Sequence, residues 1–166
     1  MSMRFKDWML RYVFPAMERL GGIDPAFFGQ RDIRCMVAAI VHIESKSKKD
    51  DKPTALAKVN HNLAGVKFVP SVDEGRYDMV TYPANEFDKE ETVGYRAYDS
   101  YEHSLMNIRW HLLFSSYYVN LRQSSCDDWL RAIGPIWCPY NPKHTETLVR
   151  LYWEWEAASI VSQRPS

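Results

Sequence analysis

The sequence carries no net charge, with 21 Lys and Arg against 21 Asp and Glu in 166 residues. A nucleic-acid partner recruited by bulk positive charge is therefore not expected, because phosphate binding draws on an excess of cations. Long apolar runs are missing as well. Nothing approaches the roughly 18 apolar residues that a membrane-spanning helix needs, and Met1 is not followed by a basic stretch leading into an apolar one. Cysteines are few and odd in number. Cys35 lies in an apolar helix and reads as a core thiol, whereas Cys126 and Cys138 either pair or stay reduced. Internal repeats and interdomain linkers are also absent, so residues 1–166 are expected to form a single domain with a substantial core.

Aromatic residues, in contrast, are abundant: 6 Trp, 10 Tyr and 7 Phe. Most of them are needed to fill a core. Tyr and Trp also line sites for ligands that are part apolar and part hydroxylated, as sugars are.

The stretch IRCMVAAIVHIES, from Ile33 to Ser45, is almost unbroken apolar sequence ending on one acid. Ile33, Val37, Ile40, Val41 and Glu44 repeat at helical spacing, which aims the Glu44 carboxylate the same way as the core residues before it. Partial burial and the carbonyl-rich end of a helix both disfavour its charged form, and a carboxyl kept protonated near neutrality suits a general acid. The plainer reading places Glu44 just past the core, paired with Lys46 or Lys48.

Around this helix the chain alternates between helical and extended patterns. Phe5, Trp8, Met9, Tyr12 and Val13 mark an amphipathic helix with a kink at Pro15 and an end at Gly21-Gly22, packed on the Glu44 helix. Asp24-Pro25 opens a short turn through Phe28. Ser45 to Thr54 is charged and reads as a solvated loop, followed by a helical piece from Ala55 to Val59 and a tight connection from Asn60 to Phe68. Tyr77 to Tyr82 and Thr92 to Tyr98 predict an antiparallel hairpin joined by PANEFDKEE. Asp99 or Ser100 caps a helix carrying Tyr101, Leu105, Ile108 and Leu112 to about Tyr118. Ser125 and Asp128 cap a short helix closed by Gly134, and Asn141-Pro142 starts a last helix whose buried stripe is Leu148, Leu151, Tyr152 and Trp155. The expected fold is mainly α (α+β), helices on either side of a small β-hairpin lobe.

Two chemistries can be set aside. His42 and Glu44 form H-x-E, a zinc-deaminase element, but the P-C-x-x-C partner is absent and His42 falls off the apolar stripe, so no metal or cofactor is expected. Cys138 and His144 are of the types that form a nucleophilic pair, yet Pro139 removes the backbone N–H that would activate the thiol from a helix start.

Read together, Glu44-Ser45, Ala55-Leu56-Ala57, Asn62-Leu63-Ala64-Gly65-Val66-Lys67, Tyr95-Arg96-Ala97-Tyr98-Asp99-Ser100 and Asn141-Pro142-Lys143-His144 stand in a definite order. This order resembles the glucosaminidase family of peptidoglycan hydrolases, glycoside hydrolase family 73, which includes flagellar muramidase-like and bacteriophage lysin domains. The resemblance covers most of the chain. It implies a lysozyme-like helical domain with a β-hairpin lobe that cleaves the β-1,4 bond after N-acetylglucosamine in the cell-wall glycan, with Glu44 as general acid. The Trp-Gly that usually follows the Glu-Ser pair is replaced by the Lys- and Asp-rich loop.

The same resemblance assigns the other roles. Glycoside hydrolysis normally needs a second carboxylate; the family's β-lobe acid corresponds to Glu86, with Asp78, Asp88, Glu90 and Glu91 as rivals. Asn62 and Lys67 are candidates to bond acetamido or lactyl groups, with Asn62 alternatively shaping its turn. Trp137 and Tyr140 lie where the family has a substrate-stacking Tyr, one expected in the groove and the other in the core. Tyr117 and Tyr118 are further candidates, at least one of them core. The alternatives are a lytic transglycosylase or muramidase of the same fold type, although no G-L-M-Q segment follows Glu44, and a non-catalytic glycan-binding or structural part of a virion or secretion apparatus. The expected partner is the peptidoglycan glycan strand, met by a monomer or from within a delivery apparatus. With no exit signal read at Met1, release through lysis, a pore, a virion or a secretion machine is expected, a bacteriophage origin being favoured.

Overall fold

The structure is a computed structural model that describes residues 3–86 and 89–162, with side chains described outside 84–91 and 159–162. Its axis is α3 (Arg31–Ser45), buried on nearly every side: Cys35, Met36, Ala38 and Ala39 are as inaccessible as Ile33, Val37, Ile40 and Val41. A helix apolar all round must be covered all round. The long C-terminal helix α8 (Lys143–Ser162) covers one side, α7 (Cys126–Trp137) and α2 (Phe14–Ile23) cover others, and α6 (Tyr101–Phe114) packs on α2. Leu148, Leu151, Tyr152 and Trp155 are the buried stripe of α8, as their spacing predicts.

The N-terminal segment is one helical rod with a defect. α1 (Phe5–Trp8) runs into a π-helical turn, Met9–Val13, and then α2; the Phe14 N–H reaches the Met9 carbonyl, five residues back. Pro15 has no N–H to give and its ring crowds the turn before it, so a widened turn just upstream replaces the expected kink. α2 passes Gly21-Gly22 and ends at Ile23, one residue beyond the expected stop.

Residues 46–53 are less free than a solvated loop. Lys46 pairs with Pro53, the Ser47 N–H donates to the Lys52 carbonyl (2.9 Å), and the Phe5 N–H donates to the Asp51 carbonyl (3.0 Å). Thr54 caps the short α4 (Ala55–Asn60) through its hydroxyl, and α5 (Pro70–Asp73) is a single turn before the hairpin.

β1 (Asp78–Glu86) and β2 (Lys89–Ala97) form a two-stranded antiparallel ribbon from Asp78↔Ala97 to Glu86↔Lys89. Most of PANEFDKEE is therefore strand rather than connection. Pro83, which suggested a break, sits opposite Thr92 in a ribbon where both strands are edges, a position that tolerates a missing N–H. The Ser100 hydroxyl caps α6 by accepting from the His103 N–H, and the helix stops at Phe114, before Tyr117 and Tyr118.

α7 also differs from expectation. Ser125 caps it, but the helix runs through Gly134 and Pro135 to Trp137. Gly134 is there because α8 crosses it: a Cβ at this position would lie 2.9 Å from Thr145 Cβ. None of the three cysteines is in a disulfide. No helix among the described residues is long and apolar enough to cross a membrane.

Gly134→Ala is expected to cost about 1–3 kcal/mol by overpacking the α7–α8 crossing, read as a lower denaturant midpoint at unchanged slope. Thr145→Ala in the same chain should restore part of the loss; an unshifted midpoint for Gly134→Ala would mean the crossing is looser than described.

Candidate functional site

Glu44 occupies the last turn of α3, its side chain 27% exposed and its two oxygens in different surroundings. Oε1 accepts a hydrogen bond from Trp137 Nε1 (3.0 Å) and lies 3.9 Å from His144 Nε2. Oε2 faces Gly65, where a Cβ would come within 3.4 Å of it. Neither lysine named for the plainer reading is bridged to the carboxylate among the described residues: Lys46 Nζ turns instead to the carbonyls of Ser47 (3.4 Å) and Asp50 (3.3 Å). Burial pushes the Glu44 carboxyl above its ordinary value, against the opposing pull of the Trp137 N–H and the Lys48 charge. When neutral, the acid keeps Oε1 as acceptor for Trp137, so the proton belongs on Oε2, the oxygen facing the Gly65 loop.

Each wall of the site has a local cause. Trp137 and Cys138 end α7, and α8 begins a few residues on at Lys143, which brings His144 beside the same carboxylate oxygen. Burial lowers the pKa of His144, favouring the neutral ring, and its Nδ1 is buried with no hydrogen-bond partner among the described residues. Tyr118 stacks obliquely on Trp137, ring centroids 5.8 Å apart, and Tyr117 lies beside Tyr118 at 6.4 Å. The opposite wall is the 62–67 turn, with Gly65 at φ +64°, a left-handed conformation that L side chains rarely adopt.

That turn is fixed from below. Asn62 is 1% exposed; its amide nitrogen donates to the carbonyls of Val66 (2.9 Å) and Arg96 (2.8 Å), and its oxygen accepts from the Val66 N–H (2.9 Å). A side chain so committed and so buried cannot also bond a substrate, so Asn62 shapes the turn and the substrate role considered for it is set aside. Lys67 follows on the exposed side, paired through its backbone with Tyr95.

The other candidates are dispersed. Tyr140 is 80% and Tyr117 73% exposed, whereas Tyr118 and Trp137 are part-buried against the edge of the core. Of the pair Trp137 and Tyr140, Trp137 packs part-buried against the core and bonds Glu44, while Tyr140 lies exposed on the α7–α8 connection. Glu86 has its backbone at the end of β1, opposite Lys89, and its side chain lies outside the described residues, as do those of Glu90 and Glu91 and all of Asp88. Asp78 is exposed at the ribbon's root. His144 is the residue beside Glu44 that sequence reasoning missed as a site residue; its place in the closing NPKH segment was the available signal. His42 belongs to the core edge, stacked on Phe5 and accepting at Nδ1 from Trp155 Nε1 (3.1 Å). Among the described residues no group of three or more His, Cys, Asp or Glu side chains is placed to hold a metal ion.

No protein-family model matches the sequence, and no curated protein matches it by sequence. Solved structures do match. The glycoside hydrolase domain of Salmonella typhimurium FlgJ superposes with a TM-score of 0.65 at 15% identity, covering 96% of this chain and 93% of that one. A peptidoglycan hydrolase from Sphingomonas sp. A1 gives 0.64 at 16% identity over 93% and 94% of the two chains. The catalytic domain of the autolysin Auto from Listeria monocytogenes gives 0.63 at 15% identity over 96% and 89%. This chain has the fold of those hydrolase domains. The likeness spans nearly the whole of each, so the α+β, lysozyme-like architecture implied by the sequence resemblance is the one found.

The displaced Glu44 pKa has a consequence for stability. A group whose folded pKa is raised holds its proton more tightly in the folded chain, so its contribution is present below the unfolded value, 4.5, and lost as pH rises through the folded one. Glu44→Gln keeps an acceptor for Trp137 and removes the cost of ionisation. Thermal melts of the two proteins are expected to coincide near about pH 4 and to separate toward neutrality with the variant higher. A variant that melts lower at neutral pH would contradict the burial described for the carboxyl.

Proposed function

We propose that this chain is a peptidoglycan hydrolase of the endo-β-N-acetylglucosaminidase type, with Glu44 as its general acid. The observation that carries the reading is the half-buried Glu44 at the end of the central helix, biased toward its protonated form, with Oε1 held by Trp137 and Oε2 facing Gly65. A carboxyl in that state delivers a proton to the leaving glycosidic oxygen as the bond to the sugar ring breaks and positive charge develops on the ring. Support comes also from the fold shared with domains described as glycoside and peptidoglycan hydrolases, and from the ordered motifs, which resemble the glucosaminidase pattern.

In this reading Trp137 has two uses: it holds Glu44 through its N–H, and with Tyr118 it offers an aromatic wall to a sugar ring. Tyr117 and Tyr140 extend the exposed aromatic surface, and Lys67 stands on the exposed strand of the loop facing Glu44. Glu86 is the proposed second carboxylate, carried at the far end of the ribbon. Its separation from Glu44 in the working enzyme decides between attack on the sugar and activation of a water.

Two measurements test this. Glu44→Gln is expected to fold and to lose at least about a hundredfold of the wall-degrading activity, the scale of general-acid catalysis; lysis at the wild-type rate would remove Glu44 from the chemistry. Mass spectrometry of the wild-type digest should show reducing N-acetylglucosamine ends, whereas reducing N-acetylmuramic acid ends would make the chain a muramidase and anhydro ends a lytic transglycosylase. Separately, Trp137→Phe deletes the N–H that holds the Glu44 carboxyl down, so the alkaline limb of the pH–activity profile should move to higher pH. An unmoved limb would show that Glu44 is not the group titrating there.

A further inference from the structure

A groove of ≈ 810 Å³ opens between α5, the root of the ribbon and the outer face of α6. The two faces of α6 are unlike. Leu105, Ile108 and Leu112 point into the core, while Met106 and Trp110, one turn apart, line the groove, and Trp110 is 50% exposed. An outward helix face is ordinarily charged, so an exposed Trp on a formed groove needs an explanation.

The floor of the groove is a bonded network. Arg96 holds Asp73 with two hydrogen bonds (2.9 and 2.8 Å), gives a third to Asn107 Oδ1 (3.1 Å), and lies 4.3 Å over the Tyr77 ring. At its other end the groove is lined by Tyr117. Tyr117 adjoins Tyr118, Tyr118 packs on Trp137, and Trp137 bonds Glu44, so a chain of aromatic contacts leads from the groove to the carboxyl.

We infer that this groove binds the glycan strand beyond the bond at Glu44, with Trp110 as a stacking platform and Arg76 facing the lactyl carboxylate of a muramic acid residue. The inference rests on the hydrolase reading of Glu44. Three observations select a sugar strand as occupant. A chain of ring contacts leads from its Tyr117 end to Trp137 and Glu44, its exposed aromatic faces suit the apolar faces of sugar rings beside polar groups, and the exposed Arg76 complements the one acidic substituent of the bare strand. Its volume lies within the roughly 300–1,000 Å³ of ordinary ligand sites.

Binding is measured in the Glu44→Gln background, where no turnover interferes, using peptide-free glycan strands prepared by amidase digestion, a chitin oligomer of matched length, and intact peptidoglycan. Trp110→Ala is expected to weaken binding of both bare strands by about tenfold, equivalent to about 1.4 kcal/mol. Arg76→Ala should weaken the muramic-acid-containing strand alone. Both residues are exposed, and melting curves matching the parent confirm folding. Unchanged affinity for every bare strand in both variants overturns the groove, even if the wild-type protein still cuts peptidoglycan. Loss confined to intact peptidoglycan also overturns it, by showing that the groove holds stem peptide. If wild-type protein cuts nothing while Trp110→Ala still weakens strand binding, the groove stands and the hydrolase reading fails.

Discussion

The turn at residues 62–65 is the constraint on which the rest of the site depends. Ser45, next to the acid and fully buried, donates to the Leu63 carbonyl (2.6 Å), and the Leu63 N–H donates to Ser104 on α6 (3.1 Å). Asn62 ties the same turn to Val66 and to Arg96 on the ribbon. One short segment thus joins the end of the central helix, the hairpin lobe and α6. These bonds lie away from water, so breaking one leaves its partner unpaired and costs more than an exposed bond would. The result is that Gly65 is held against Glu44 by a frame rather than by its own contacts.

The frame also explains why separated motifs can be read together from sequence. Glu44-Ser45, Asn62-Leu63 and Arg96 to Ser104 are distant along the chain and adjacent in space, and their polar side chains bond one another's backbones. His61 Nδ1 lies 3.0 Å from the Tyr98 carbonyl, and the Tyr98 N–H reaches the Asn60 carbonyl at 2.9 Å. Such pairings require particular residue types in a fixed order. What looks like a pattern of catalytic residues is in large part the pattern of the support beneath them, as Asn62 illustrates.

Legibility followed the range of the forces involved. The helices α3 and α8 were readable because burial imposes a period on many residues at once, and the caps at Ser100 and Ser125 because they act over three residues. The continuation of α7 through Gly134 and Pro135 was not, since the Thr145 that requires a glycine there lies on another helix. The long strands through PANEFDKEE were hidden for a related reason: polar residues and a proline oppose strand locally, and pairing across the ribbon overrides them. At the site, Glu44 was visible as an acid ending an apolar stripe. The bond from Trp137 and the approach of His144 were not, because they depend on where the α7–α8 connection returns to the end of α3.

Several features around Glu44 work against the stability of the fold. The carboxyl resists ionisation where it sits, His144 Nδ1 is buried without a partner among the described residues, and Gly65 holds a left-handed backbone. Each is the kind of local cost that a sequence selected for stability alone would remove, by an amide at 44, a paired ring at 144 or an ordinary turn at 65. They converge on one carboxylate, with Oε1 held by Trp137 and Oε2 left toward the glycine. A side chain at residue 65 would be opposed by the backbone angle and would rest in contact with Oε2. The glycine that permits the turn therefore leaves Oε2 without a side chain against it from this wall, and the buried bonds of Ser45, Asn62 and Ser104 hold the turn in place.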